Sequence, residues 1–282
     1  HRDEVTNNRG GWAKLEFSKT EHLTSEGYFT YLKEFKGGHS LNAVAGYSYF
    51  EKNGENFNAE NYDFGVEGLK YWDLGAGSYL TDGKAAMGSG KNITERLFAL
   101  YARANYSYND KYMVSATIRH EGSSKFAAEN RWGNFWSVSA AWDMAKENFI
   151  SQYDWINMLK LKASFGQQGN DNLYYKGYTN YYPYLDQFTV SGSDGVFSDG
   201  VLYYKGSKDI TWETSNSFNV GVDFALLGGR IDGTIEYFNR QTKDMLYYKP
   251  VAMSNGYTQL PMNIGSVRNS GVEIELNYTP IE

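Results

Sequence analysis

The residues with the most legible binding chemistry are aromatic rings set among glycines, amides and carboxylates. One group is Tyr71, Trp72 and Tyr79, in the run Tyr71-Trp72-Asp73-Leu74-Gly75-Ala76-Gly77-Ser78-Tyr79. The other is Tyr174, Tyr175, Tyr181, Tyr182, Tyr184 and Asp186, in a stretch that also holds Tyr178, Asn170, Asp171 and Asn172. Rings of this kind stack on apolar faces of sugars and peptides, while amides and carboxylates bond hydroxyls and backbone groups. The same rings would serve equally well to pack the segments on one another, and spacing alone leaves both readings open.

Other chemistries find less support. Residues 83–92, GKAAMGSGKN, imitate a phosphate-binding loop, but the pattern needs Gly where Ala85 stands and Ser or Thr where Asn92 stands. The four histidines, His1, His22, His39 and His120, have no metal-ligand spacing. Ser191-Gly192-Ser193-Asp194-Gly195 and Ser198-Asp199-Gly200 offer oxygens without the acidic alternation of a calcium loop. No metal or cofactor is therefore expected. Carboxylate pairs such as Asp209 with Glu213, or Asp63 with Glu67, are expected by chance among 33 acidic residues, so no catalytic residue is assigned. With Cys 0, disulfide frameworks, thiolate zinc sites and cysteine nucleophiles are excluded. A net charge of -6 argues against nucleic acid, which calls for a basic footprint.

The elements that must position these rings are strands. Alternation of apolar and polar residues runs through 134–144, 159–168, 217–226 and 271–278, with further segments at 12–19, 28–35, 40–50, 96–108, 112–121 and 231–240. That predicts about ten strands, with a short helix or turn within 147–158. Connections alternate in length. Tight turns stand at Lys36-Gly37-Gly38-His39, Asn109-Asp110-Lys111 and Gly228-Gly229-Arg230, and residues 145–157 fall where another short one is due. Longer excursions occupy 51–91, 122–132, 169–210 and 241–269. An up-and-down sheet sends alternate connections to opposite rims, and outer-membrane barrels keep short turns on one rim and long loops on the other. No run of about 18 apolar residues marks a spanning helix, but a barrel hides its apolar face in every second residue, so a mean hydropathy of -0.59 is compatible with one. Tyr106, Tyr108, Tyr112, Trp142 and Tyr278 lie near strand ends, where a bilayer interface favours amphipathic rings. Lys160, Lys162, Asp223, Glu236, Arg240, Glu273 and Glu275 are then expected to face a lumen. Val138, Trp142, Leu161, Val222, Phe224, Ile274 and Leu276 are expected to face lipid.

Longer stretches carry a family resemblance. They are residues 101–142, YARANYSYNDKYMVSATIRHEGSSKFAAENRWGNFWSVSAAW; residues 155–170, WINMLKLKASFGQQGN; and, within 210–278, ITWETSNSFNVGVDF, GGRIDGTIEYFNRQTKDML and LPMNIGSVRNSGVEIELNY. FKGGHSLNAVAGYSYF at 35–50 also fits. Together they resemble the barrel of SusC/RagA-type TonB-dependent outer-membrane transporters. The resemblance implies an all-β, antiparallel, up-and-down transmembrane barrel of about 22 strands, in the outer membrane of a Gram-negative bacterium. It also implies import of oligosaccharides or peptides, a SusD-like surface lipoprotein as partner, energy supplied through the TonB complex, and no enzymatic step.

About ten strands cannot close such a barrel. Neither a plug domain nor a TonB box is found in the sequence, so residues 1–282 are read as one barrel segment of a longer protein. The competing reading is a soluble, secreted β-rich carbohydrate-binding module or glycoside hydrolase whose apolar face packs on a second sheet.

Overall fold

The computed structural model describes residues 11–65, 72–189 and 201–280. Its wall strands are β1 (Trp12–Phe35), β2 (His39–Tyr62), β3 (Ala86–Tyr108), β4 (Tyr112–Ser123), β5 (Trp132–Asp143) and β6 (Ile156–Asn170). Between β6 and the next wall strand lie two small ribbons, β7 (Tyr174–Tyr175) with β8 (Tyr178–Thr179) and β9 (Gln187–Thr189) with β10 (Val201–Tyr204). The wall resumes with β11 (Glu213–Leu226) and β12 (Ile231–Lys243). It passes through the ribbon β13 (Leu246–Pro250) and β14 (Gln259–Asn263), and ends with β15 (Ser266–Tyr278). Among the described residues the wall is one nine-stranded sheet in the order β1-β2-β3-β4-β5-β6-β11-β12-β15. Each wall strand neighbours the next one in sequence, as an up-and-down sheet requires.

The chain divides into two compact units, His1–Thr24 with Phe50–Glu95 and Ser25–Tyr49 with Arg96–Glu282. In the first, Asn61 is the organising side chain. It is buried, and its amide donates to Leu74 O at 2.7 Å and Gly77 O at 2.8 Å. Ser78 Oγ donates to Asp63 Oδ2 at 2.6 Å, which fixes the turn that follows β2.

In the second unit, register separates two faces. One row across seven strands reads Tyr108, Tyr112, Trp142, Leu161, Val222, Ile235, Ile274. One residue further along the strands the row reads Ser107, Met113, Ala141, Lys162, Gly221, Glu236, Glu273. Period-two geometry therefore places every expected lipid-facing residue on one side and every expected lumen-facing residue on the other. The apolar row that begins Ala104, Ala116, Val138, Phe165, Phe218 ends in Asn239 and Ser270. Barrel strands tilt, so a row perpendicular to them leaves the apolar band at one end.

The short rim uses left-handed backbone. Asn109 and Asp110 both have φ 52, the pair of positive angles of a tight hairpin turn. At the β11–β12 turn Leu227, Gly228 and Gly229 take φ 56, 72 and 85. Leu227 tolerates this because its N–H donates to Trp155 O at 2.7 Å and that of Gly228 to Asn157 Oδ1 at 2.7 Å.

Two details differ from the sequence reading. Segments 12–19 and 28–35 are one 24-residue strand, so ten segments become nine strands. Residues 51–62 and 86–91 are strand, not excursion. EKNGENFNAENY carries no apolar alternation because period-two patterning appears only where one face is dry. Residues 86–92 also close the phosphate-loop question, since they lie in β3. The expected short helix or turn within 147–158 is a turn: a 3-10 turn at Met144–Lys146 leads into plain turns, and β6 begins at Ile156.

Val222→Arg or Ile274→Arg is expected to cost about 2–4 kcal/mol in the full-length protein folded into lipid. Asn219→Arg or Glu275→Arg, on the opposite face, should cost less. Denaturant titration in liposomes checks this, and equal tolerance of the two faces would remove the assignment.

Candidate functional site

The polar face carries a lattice of paired charges. Lys162 Nζ lies 2.8 Å from Asp223 Oδ1 and 3.4 Å from Glu236 Oε2, so one lysine joins two strands. Thr234 Oγ1 donates to Asp223 at 2.9 Å. Arg119 meets Glu121 at 2.7 Å and donates to Ser48 Oγ at 3.3 Å. Ser115 donates to Asn105 at 2.7 Å, and Arg240 to Ser217 at 3.2 Å. A cleft of about 500 Å³ opens over this face, lined in part by Asn42, Asn105, Ser139, Lys162, Ser164 and Glu236. These groups offer amide, hydroxyl and charged contacts to a hydrated polar molecule.

Where the polar face reaches the long-loop rim it turns apolar. Phe135 of β5 is buried there with Phe126, Leu173, Ile210 and Trp212, and Leu97, Tyr184, Leu246 and Tyr248 pack against them. This small core draws in three connections, 124–131, 171–212 and 244–265. Polar bonds fasten the same segments. Trp212 Nε1 donates to Arg131 O at 2.9 Å. Asn263 accepts from Thr211 N and donates to Thr211 O and Asp244 O, each at 2.8 Å. Glu213 accepts from Asn170 at 3.1 Å and from Leu246 N at 3.0 Å. Both its oxygens are thus engaged in structure, which removes it from any catalytic pair with Asp209. Glu67, the partner considered for Asp63, lies outside the described residues.

Lys125 is 1% exposed. Its ammonium donates to Asp171 Oδ1 at 3.2 Å and Asn172 Oδ1 at 2.8 Å, and Asp171 Oδ2 accepts from Ser123 Oγ at 2.6 Å. A buried charge needs such a shell, and this one ties the β4–β5 connection to the start of the β6–β11 loop.

The structure distributes the sequence-predicted rings over both units. Trp72 and Tyr79 belong to the first; Tyr71 lies outside the described residues, as do the Ser191–Gly195 and Ser198–Gly200 oxygens. Trp72 is 76% exposed. Tyr79 packs on Tyr62 at 5.4 Å, with Lys84 Nζ 5.2 Å from its ring centre. In the second unit Tyr174 is 63% exposed. Tyr175 turns inward, 5.1 Å from both Tyr204 and Tyr248. Tyr184 packs on the core, while Tyr181 and Tyr182 are half-buried. Asp186 is spent on the fold, accepting from Lys205 Nζ at 2.7 Å and Gly206 N at 2.8 Å. Tyr175, Tyr184 and Asp186 thus pack the segments on one another, while Trp72 and Tyr174 stay exposed.

Sequence reasoning missed the inward partners. Tyr204 donates to Pro183 O at 3.2 Å, and Asn180 donates to Tyr248 at 3.0 Å. Burial pushes both phenols up in pKa. It also passed over Tyr178, 80% exposed beside Tyr174, and Tyr247, 56% exposed on β13. Alternation within the short β13 run, Leu246-Tyr247-Tyr248, was the available signal. A second aromatic girdle was missed as well: Trp132 stacks on His120 at 4.7 Å and meets Phe98 edge-on at 6.3 Å. It stands opposite the stacked Tyr108, Tyr112 and Trp142 of the short-turn rim.

Two tests follow from the loop assembly. Lys125→Met leaves a buried carboxylate unpaired and is expected to cost about 3–5 kcal/mol, most of it recovered by adding Asp171→Leu. Unfolding of the full-length protein and protease nicking of its loops would read this. The second concerns acid. The hydrogen bond from Lys205, then that from Gly206 N, holds the Asp186 carboxyl below its usual range. Its contribution is therefore complete above about pH 4 and fades as pH falls through the depressed folded value. Cleavage near Lys205 should rise only in acid, and Asp186→Asn should show the raised cleavage already at neutral pH.

Comparison with known proteins places this architecture. The family model for TonB dependent receptor-like beta-barrels matches residues 2–279. TonB-dependent receptor P3 of Formosa agariphila is 33% identical over 269 residues, which is 95% of this chain and 26% of that protein. TonB-dependent receptor SusC of Bacteroides thetaiotaomicron is 32% identical over 192 residues, 66% of this chain and 19% of that protein. The solved structure of the RagAB peptide transporter superposes with a TM-score of 0.78 at 25% identity, over 96% of this chain and 28% of that one. The chain spans about a quarter of the length of the curated relatives it matches. With a polar face, an apolar face and rims of unequal loop length, the chain belongs to the TonB dependent receptor-like, beta-barrel family and forms part of an outer-membrane barrel wall of a Gram-negative bacterium.

Proposed function

We propose that this wall serves a TonB-dependent transporter that imports oligosaccharides or peptides, working with a SusD-like surface lipoprotein. The observation that carries this reading is the loop assembly. Three long connections are fixed to one another at one rim, and they present Tyr174, Tyr178 and Tyr247 outward. Behind them the wall is polar, with Lys162 and Arg119 held in ion pairs. Such a surface holds hydrated cargo by ring stacking and hydroxyl contacts. The names of similar proteins agree: one is SusC, and another is a peptide transporter.

Of the rings expected to touch cargo, Trp72 and Tyr174 are the most exposed, and Tyr178 joins them. Tyr79, Tyr181 and Tyr182 are half-buried, while Tyr175, Tyr184 and Asp186 hold the loops in place. Other parts of the full-length protein supply the plug and the contact with the TonB complex. The soluble binding-module or glycosidase reading does not survive the family match over residues 2–279.

Deleting the full-length gene should abolish growth on, and uptake of, a specific oligosaccharide or peptide. Tyr174→Ala and Tyr178→Ala should each weaken cargo binding by about two- to ten-fold, from the worth of a ring contact, while the barrel still resists SDS unfolding at room temperature. Undiminished uptake of every oligosaccharide and peptide tested in the deletion strain would overturn the proposal.

A further inference from the structure

Within the second unit the lipid-facing side is not uniformly rugged. Strands β1 to β4 leave a shallow trough of about 680 Å³, a volume within the range of lipid- and drug-sized ligand sites. Its floor is Ala43, Ala45, Ala102, Ala104 and Ala116, with Phe29 and Tyr31 as one bank and Ile118 as the other. Facing is fixed independently at Gly46, where an added Cβ would lie 2.7 Å from Tyr28 Cβ and 3.0 Å from Tyr101 Oη. That puts Tyr28 and Tyr101 on the polar side and the alternate residues Phe29, Tyr31 and Ala102 on the lipid side.

Toward the short-turn rim the same face changes character. Lys33 follows Tyr31 by two residues, about 6.6 Å along the strand, so it stands at the end of the trough. Lys36 begins the turn that follows β1. Both are exposed, and among the described residues neither has a carboxylate partner. Beside them His39 Nδ1 is 2.6 Å from Tyr106 Oη, and its ring lies 4.6 Å from that of Tyr108. The result is an apolar channel that ends in unpaired positive charge at the depth of an interfacial aromatic belt. We propose that it is a site for one anionic glycerophospholipid of the inner leaflet, with an acyl chain over the alanines and the phosphate between Lys33 and Lys36. A second copy of the barrel is a poorer occupant. A two-fold contact through the same patch would bring Lys33 and Lys36 against their own counterparts.

The test uses the full-length protein, extracted in mild detergent and offered phosphatidylglycerol or phosphatidylcholine, with retained lipid counted by native mass spectrometry. Wild type should retain one phosphatidylglycerol in preference to phosphatidylcholine. Lys33→Gln and Lys36→Gln should each lower its retention about five-fold. Ala102→Leu with Ala104→Leu, which fills the floor, should lower retention of the tail without changing the headgroup lysines. Resistance to SDS unfolding controls for folding. Equal retention of the two lipids, or retention unaffected by filling the floor, would overturn the proposal. So would a shift from dimer to monomer in the leucine variant at unchanged lipid count, which would assign the trough to a second barrel.

Discussion

Side chains on a strand alternate between two sides, so a single hydrogen-bond register decides at once which residues meet lipid and which meet the lumen. The rest of this protein depends on that coupling. A slip of β11 by one residue against β6 would carry Asp223 into hydrocarbon and Val222 into the lumen, and would take Asp223 away from Lys162. The bilayer adds a second demand, since a backbone group at membrane depth has no water to turn to. Continuous ladders from β3 to β15 satisfy both conditions together. The ion pairs of the polar face are exposed enough to contribute little individually. Their value is in penalising a wrong register, in which each would have to be buried unpaired.

The long-loop rim obeys a different logic. Its core is small and made of residues that would be unremarkable in any globular protein. What distinguishes it is that Phe135 belongs to the wall, whereas Phe126, Leu173, Ile210 and Trp212 belong to connections. Loop and wall thus share one hydrophobic cluster, reinforced by a buried Lys125–Asp171 pair. Surface-facing rings such as Tyr178 gain a fixed platform from inward-facing ones such as Tyr175, Tyr204 and Tyr248.

This division explains what the sequence disclosed. The wall was legible wherever one face is dry: 134–144, 159–168, 217–226 and 271–278 alternate because lipid demands it. Residues 51–62 were illegible as strand because both their faces are polar. In the loops, residue type was legible but role was not. Tyr174 and Tyr175 are adjacent and chemically identical, and only the tertiary packing of Tyr204 and Tyr248 turns one inward. Lys125 is the extreme case, a residue type that almost always stays in water and here is fully enclosed. The one usable hint to the rim core was the set of isolated large apolar residues, Phe126, Leu173, Ile210 and Trp212, within otherwise polar stretches.

The order of strands in space carries a consequence for how the chain assembles. Because each wall strand lies beside its sequence neighbour, pairing can proceed one hairpin at a time, and the tight turns at 36–38, 109–111 and 227–230 make three of these steps local. Residues 171–212 form the longest connection between neighbouring wall strands, and closing it costs entropy that grows with the logarithm of its length. β11 must meet that cost before its ladder with β6 can form. The cluster around Phe135 recovers part of it at the same moment, since Leu173 near the start of the connection and Ile210 and Trp212 near its end converge there. The feature that steadies the mature rim is thus also placed to gather the slowest step of assembly.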